Sequence, residues 1–302
     1  MFKSKNGMSR ALVRRETTAG YLFLLPSLFF FVTFVLYPMF LCIYTSFFDS
    51  NMGKNAVDVF VGLGNYKELF QDKLFHGALK NTILIVVVAV PTVCAFSLWV
   101  ATAIYDMKPA LTSAFRCIFY LPVVTGSVAV TVVWKWMYNN RYGVFNYLFK
   151  SLGIIDQNIN WLGDARFALW CIILILFTTS VGQPIVLYVS ALGNVDHSLV
   201  EAAEVDGANR RQVFWKIKWA QIMPTTLYIL IITTINSFQC FALIQLLTSG
   251  GPTHSTDTIM YYIYYTAFKL YRYGYGNAMG VVLMVIIAVL SAVQFKLGQQ
   301  SD

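Results

Sequence analysis

Thr233, Asn236, Ser237 and Cys240 recur at i, i+3, i+4 and i+7 in an otherwise apolar stretch, a spacing that gathers hydroxyl, amide and thiol groups on one helix face. Such a face suits uncharged, hydroxylated solutes, with cysteine the weakest hydrogen-bonding partner of the four. Thr179 and Gln183, four residues apart in an earlier apolar stretch, offer the same groups. Ser, Thr and Asn also hold helices together inside lipid, and spacing alone leaves both uses open.

Patterns for bond chemistry are missing. His76, His197 and His254 lie far apart without H-x-x-x-H spacing, so no metal site is expected. Cys42, Cys94, Cys117, Cys171 and Cys240 sit in or beside apolar stretches, form no C-x-x-C pair and read as small buried hydrophobes. Gly53-Lys54 is followed by Asn55 and lacks the upstream glycine of a phosphate-binding loop. Gly274, Gly276 and Gly280 have neither the spacing nor the preceding strand of a dinucleotide loop and suit close helix packing or a turn. The chain is expected to have no catalytic site and no cofactor of its own.

The elements carrying these residues belong in a bilayer. Of 302 residues, 58% are hydrophobic and 12% charged, where soluble domains run at about a quarter charged. The net charge of +8 is spread over loops and the N-terminal tail, with no basic run interleaved with aromatics, which argues against nucleic acid. Six apolar stretches have spanning length: 21–47, 82–105, 116–138, 167–192, 222–247 and 277–297. The first is too long for a signal peptide and reads as a retained span. The expected class is therefore an all-α polytopic membrane protein with a tail at 1–20, a six-span domain at 21–297 and a short tail at 298–302. Lys3, Lys5, Arg10, Arg14 and Arg15 before the first span place both termini in the cytoplasm.

No Asp, Glu, Lys or Arg lies inside the six cores, with Arg116 and Lys135 expected at the ends of the third, where they reach the interface. A charge at mid-bilayer costs about 3 kcal/mol on insertion scales and is kept for tasks such as proton relay. A chain with neither that charge nor a phosphate-binding loop must draw the energy for active transport from another subunit. The outward loops are 48–81, 139–166 and 248–276. The inward loop 193–221 holds the densest charge and a helical pattern, a first sign of a partner.

Residues 198–224 read SLVEAAEVDGANRRQVFWKIKWAQIMP. Ser198 and Glu201 are spaced as a capping box, so a helix is expected to start there. Gly207 permits a sharp bend, and Ala208, Val213, Phe214 and Ile217 recur at helical spacing beyond it. Glu201-Ala202-Ala203, Asp206-Gly207-Ala208, Phe214, Ile217 and Pro224 resemble the EAA loop of binding-protein-dependent ABC importer permeases, with Ala220 where that family often has a second proline. The resemblance implies a type I importer permease fold. It implies also that Glu201, Ala202, Ala203, Asp206, Gly207, Ala208 and Phe214 couple the chain to a cytoplasmic ATPase, which binds the ATP and Mg.

The likeness runs from about Tyr21 to Phe295 and is nearest the carbohydrate branch of maltose and glycerol-phosphate type. Val61-Gly62-Leu63-Gly64-Asn65-Tyr66, Asn81-Thr82, Leu246 to Pro252 and Ser255-Thr256 carry it. It implies a sugar-importing permease of the plasma membrane, working by alternating access, with Thr233, Ser237 and Cys240 at positions that line the sugar site in the family. Implied partners are a second homologous permease, two copies of the ATPase and an extracytoplasmic solute-binding protein. An ABC permease for a different solute, or a carrier or channel working alone, are the alternatives.

Overall fold

Caps and breaks, more than the apolar runs themselves, decide where the helices begin and end in the computed structural model, which describes residues 10–50 and 58–299. Lys3, Lys5, Gly53-Lys54 and residues 300–302 lie outside those residues. Helix α1 (Arg10–Phe31) starts inside the segment expected to be a tail and passes through a π-helical turn (Val32–Leu36) into α2 (Tyr37–Thr45). This first span, Thr17–Thr45, has none of its most apolar stretch buried on the chain taken alone. A small antiparallel ribbon follows, β1 (Phe48–Asp49) on β2 (Val59–Phe60), pairing Phe48 with Phe60 and Asp49 with Val59.

After α3 (Gly64–Gln71), Asp72 turns extended, and its Oδ1 accepts the amides of Leu74 at 2.8 Å and Phe75 at 3.3 Å. This cap starts α4 (Lys73–Ile104) nine residues ahead of the expected boundary at 82. Its 32 residues make a rod of about 48 Å, longer than a hydrocarbon core of about 30 Å.

The expected straight span 116–138 is instead two helices, α5 (Pro109–Val124) and α6 (Ser127–Met137), meeting at 94°. Thr125 and Gly126 have ψ of 125° and 142°, and Pro122 three residues earlier has no N–H to give the ladder. Because α5 begins at Pro109, Arg116 lies two turns inside a helix rather than at a span end, half-buried, its Nε without a hydrogen-bond partner among the described residues. Lys135 does fall in the last turn of its helix.

Next come α7 (Val144–Ser151), α8 (Ala168–Ser180), α9 (Gly182–Gly193), α10 (His197–Val205) and α11 (Arg210–Val213). A π-helical turn (Phe214–Lys218) joins α11 to α12 (Trp219–Phe238), so the fifth span starts well before residue 222. Then follow α13 (Ala242–Leu247), α14 (Ile259–Tyr264), a third π-helical turn (Tyr265–Lys269) and α15 (Tyr273–Gln299). Five helical stretches are long and apolar enough to cross a membrane, or six when the bent α5–α6 pair is taken as one.

At one end of the molecule Val93, Ala101 and Ile104 of α4 pack with Ile185, Tyr188 and Leu192 of α9 and with Ile222 and Ile229 of α12. Lipid is as apolar as these side chains, so close packing rather than water exclusion holds the helices together. Gly182 shows how close: a Cβ there would stand 2.3 Å from the backbone oxygen of Phe119 on α5.

The opposite end is fastened by polar groups around a second cluster that includes Leu69, Phe75, Ile259 and Met279. Tyr262 and Tyr275 donate their phenol protons to Asp72 Oδ2 at 2.6 and 2.8 Å. Burial opposes ionisation of Asp72, but these phenols and the two capping amides outweigh it and hold the carboxyl below its usual range. Arg272 grips Glu68 with two bonds of 2.7 Å while lying 4.6 Å over the ring of Tyr275.

Candidate coupling loop and solute path

The 193–221 loop is a helix stop at Val205 and a helix start at Arg210, with four residues between them. Asp196 opens α10: its Oδ1 accepts the amide of Ser198 at 2.9 Å and the hydroxyl at 2.7 Å. The side-chain and backbone donations from Ser198 hold that carboxyl below its usual range. The expected box between Ser198 and Glu201 does not form. The cap lies two residues earlier, at Asp196, so the helix begins at His197, and Ser198 gives its hydroxyl to Asp196.

The stop is a Schellman motif. Ala208 N–H reaches Ala203 O at 2.9 Å and Gly207 N–H reaches Glu204 O at 3.1 Å, with Gly207 left-handed at φ +81°. The restart is a reciprocal box in which Asn209 Oδ1 accepts from Gln212 N–H at 2.9 Å and Gln212 Oε1 accepts from Asn209 N–H at 2.8 Å. An N-x-x-Q spacing signals such a box in sequence, and Asn209 and Gln212 are cap residues that sequence reasoning passed over.

Glu201, Ala202, Asp206 and Gly207 are exposed, while Ala203, Ala208 and Phe214 are half-buried. Val213, buried, seats the second helix. Val205 among these residues is 87% exposed, and Leu199 just before them is 51% exposed. All seven expected coupling residues thus fall on this elbow or on the turn that leads from it into α12.

The polar face of the fifth span divides. Thr233 and Asn236 line a cavity of about 160 Å³ with Thr179, Gln183, Tyr228 and Val123, between α5, the α8–α9 junction and α12. The Gln183 and Asn236 amides are exposed and have no hydrogen-bond partner among the described residues. Thr179 donates to Ile175 O at 3.0 Å, which leaves its oxygen free to accept. Ser237 is buried and does not line the cavity.

Cys240 lies beyond the end of α12, so a seven-residue helical step does not reach it. It is buried beside Tyr138, Ile244 and Tyr261, and its carbonyl accepts from Thr258 Oγ1 at 2.8 Å. Tyr228, half of whose surface is exposed, is a cavity residue outside the i, i+3, i+4 pattern that singled out the others.

Residues of the carbohydrate-branch motifs meet at the far end. Asn81 Nδ2 donates to the carbonyls of Ser255 at 3.1 Å and Asp257 at 3.0 Å, and Thr82 Oγ1 accepts Ile259 N–H at 3.0 Å. Thr256 bonds Thr248 at 2.8 Å and Gly251 O at 2.7 Å, and Asn65 donates to Ser46 O and Phe48 O. Gly250, at φ +82°, would place a Cβ 1.9 Å from Asp257 Oδ1. These motif residues fasten the loops around 46–65 and 248–259 and do not line the cavity.

Residues 78–300 match the family model described as binding-protein-dependent transport system inner membrane component. The protein named "Probable ABC transporter permease protein YesP" from Bacillus subtilis (strain 168) is 33% identical over 288 residues, covering 94% of this chain and 91% of its own length. The lactose transport system permease protein LacF of Rhizobium radiobacter is 32% identical over 288 residues, 94% of this chain and 95% of its own. The fold matches a chain of a bacterial ABC transporter involved in the import of the acidic polysaccharide alginate, with a TM-score of 0.79 at 23% identity over 97% of this chain and 99% of that one. By family match, by relatives aligned along nearly its whole length and by fold, this chain belongs to the binding-protein-dependent transport system inner membrane components, the multi-pass permeases of ABC importers.

Proposed function

We propose that this chain is a permease subunit of an ATP-driven sugar importer, worked through the 196–213 elbow by a separate ATPase. The observation that carries the reading is that one helical rod begins at the elbow and ends at the cavity: Arg210 starts it, and Thr233 and Asn236 lie near its other end. In this reading the coupling residues Glu201, Ala202, Ala203, Asp206, Gly207, Ala208 and Phe214 dock on the ATPase, which binds ATP and Mg. The elbow and both termini face the cytoplasm. A second homologous permease, two ATPase copies and an extracytoplasmic solute-binding protein complete the machine, and the spans rock around the cavity.

Sugar as the solute is supported by the lactose permease among the relatives and by a cavity whose polar side chains are hydroxyls and amides. The test is uptake and ATP hydrolysis in vesicles holding the whole assembly, with a panel of sugars, amino acids and polyamines. Gln183→Leu and Asn236→Leu each remove one hydrogen-bonding amide, worth about 1 kcal/mol net, so half-saturation should rise about fivefold. Stimulation by a non-sugar solute alone, or transport by the purified chain without any ATPase, would refute the reading.

A further inference from the structure

Besides the packing of Val200 of α10 against the α4–α9–α12 cluster, two polar side-chain links run from the elbow to the base of α12 and from there to α4. Gln221, one turn into α12, accepts the backbone N–H of Asp196 on its Oε1 at 3.0 Å. Asp196 is the residue that caps α10, so this bond ties the start of the elbow's first helix to the base of the fifth span. Three residues before Gln221, and so on the same side of the rod, Lys218 donates to the hydroxyl of Tyr105 and lies 4.7 Å from the centre of its ring. Tyr105 is the residue that follows α4 as its C-cap, and its side chain packs on the α4–α9–α12 cluster.

The π-helical turn Phe214–Lys218 closes on Lys218 itself. One extra residue in a turn rotates everything after it by about a residue's step, roughly 100°. That rotation sets which way both Lys218 and Gln221 face. Neither link is a strong contributor to stability: Gln221 is exposed and Lys218 half-buried, and polar contacts near a surface add little. Their placement matters more than their strength, because they cross the boundaries between α10, α12 and α4.

We propose that Gln221, Lys218 and Tyr105 are positioning residues that lock the elbow to the α4–α12 pair, so that a displacement of α10 carries both long helices with it. This rests on the coupling reading above. With the links cut, α10 still docks and follows the ATPase, but the spans lag behind it, and hydrolysis proceeds with less solute moved.

The readout is solute transported per ATP hydrolysed by the full assembly in vesicles, with ATPase retention measured by co-purification. Gln221→Met and Lys218→Met should keep the ATPase bound and hydrolysing while the transport ratio falls about fivefold, the factor expected of one net hydrogen bond. Gln221→Glu, which keeps an acceptor oxygen, and Lys218→Arg, which keeps a cation over the ring, should restore it. Tyr105→Phe keeps the ring and loses the hydroxyl, and should fall between. Methionine variants with the wild-type ratio overturn the proposal, as does a loss that neither Glu nor Arg rescues, which marks plain misfolding. A wild-type assembly whose hydrolysis is indifferent to solute overturns the coupling reading and this proposal with it.

Discussion

Substitution at Gly207 separates the backbone geometry of the elbow from its packing. The residue holds φ +81°, and nothing lies within 4 Å of where its Cβ would stand, so a side chain meets no clash there. What remains is the left-handed backbone, which costs an ordinary L-residue about 1–2 kcal/mol, less for Asn and more for a β-branched residue. A difference of 1–2 kcal/mol moves a two-state balance by a factor of about 5–30. Both Schellman bonds, from Gly207 and Ala208 to the last turn of α10, depend on that conformation. Sugar-stimulated hydrolysis and uptake, measured in one vesicle preparation, should therefore fall in the order Gly, Asn, Ala, Val. The order is the test. If Asn abolishes coupling as fully as Val, bulk on the docking surface decides and the conformational argument is wrong; if Val equals Gly, the bend itself is unimportant.

Three further outcomes concern Gly182, Gly77 and Asp72. Gly182→Ala drives a Cβ to 2.3 Å from Phe119 O and 2.9 Å from Val123 Cγ2, so thermal unfolding in detergent should show a loss of about 1–3 kcal/mol, as overpacking does. Gly77→Ala, in a helix with nothing near its Cβ, should gain about 0.5–1 kcal/mol in the same assay. Asp72 has its native pKa depressed; its contribution is present above the unfolded value of about 3.9 and is lost as pH falls through the native one. Between about pH 5 and pH 3 the melting temperature of the wild type should fall more steeply than that of Asp72→Asn, which has no carboxylate to protonate.

The spans are legible because contrast in polarity needs no tertiary information, whereas their ends are decided by single caps. Asp72 reads as one more loop charge, yet its two amide bonds start α4 nine residues before the apolar run does. At the elbow two cap candidates compete within three residues. Asp196 prevails over Ser198 because it is extended at ψ 110° and brings a full negative charge to the positive end of the helix. The i, i+3, i+4, i+7 pattern gathers Thr233 and Asn236, which do share a cavity wall, but it does not extend to Cys240, since the helix it presumes stops at Phe238. Pro122 passes as a tolerated membrane proline, and nothing in local sequence sets a 94° turn after it. The bonds of Asn81 with Ser255 and Asp257 span 174 and 176 residues, a pairing that no spacing rule within one segment reveals.

The placement of elbow and cavity bears on what kind of motion the fold transmits. From Arg210 to Thr233 the chain is helical throughout, a rise of roughly 35 Å. Along that length Ile222 and Ile229, both almost wholly buried, share one packed cluster with Ile104 of α4 and Leu192 of α9. Packed interfaces of this density shift between discrete arrangements rather than deform continuously. A push at the elbow therefore tends to move α12 as a unit. The cavity wall that Thr233 and Asn236 supply must move against α5, because Gly182 pins α9 to the Phe119 backbone there. Relative movement of α12 and the α5–α9 pair is thus the change of shape the fold concentrates at the cavity, and a cross-link between Asn236→Cys and Val123→Cys, in a background without the native cysteines, should block transport while leaving ATPase binding intact. Undiminished uptake with that bridge formed would show that the cavity wall does not move.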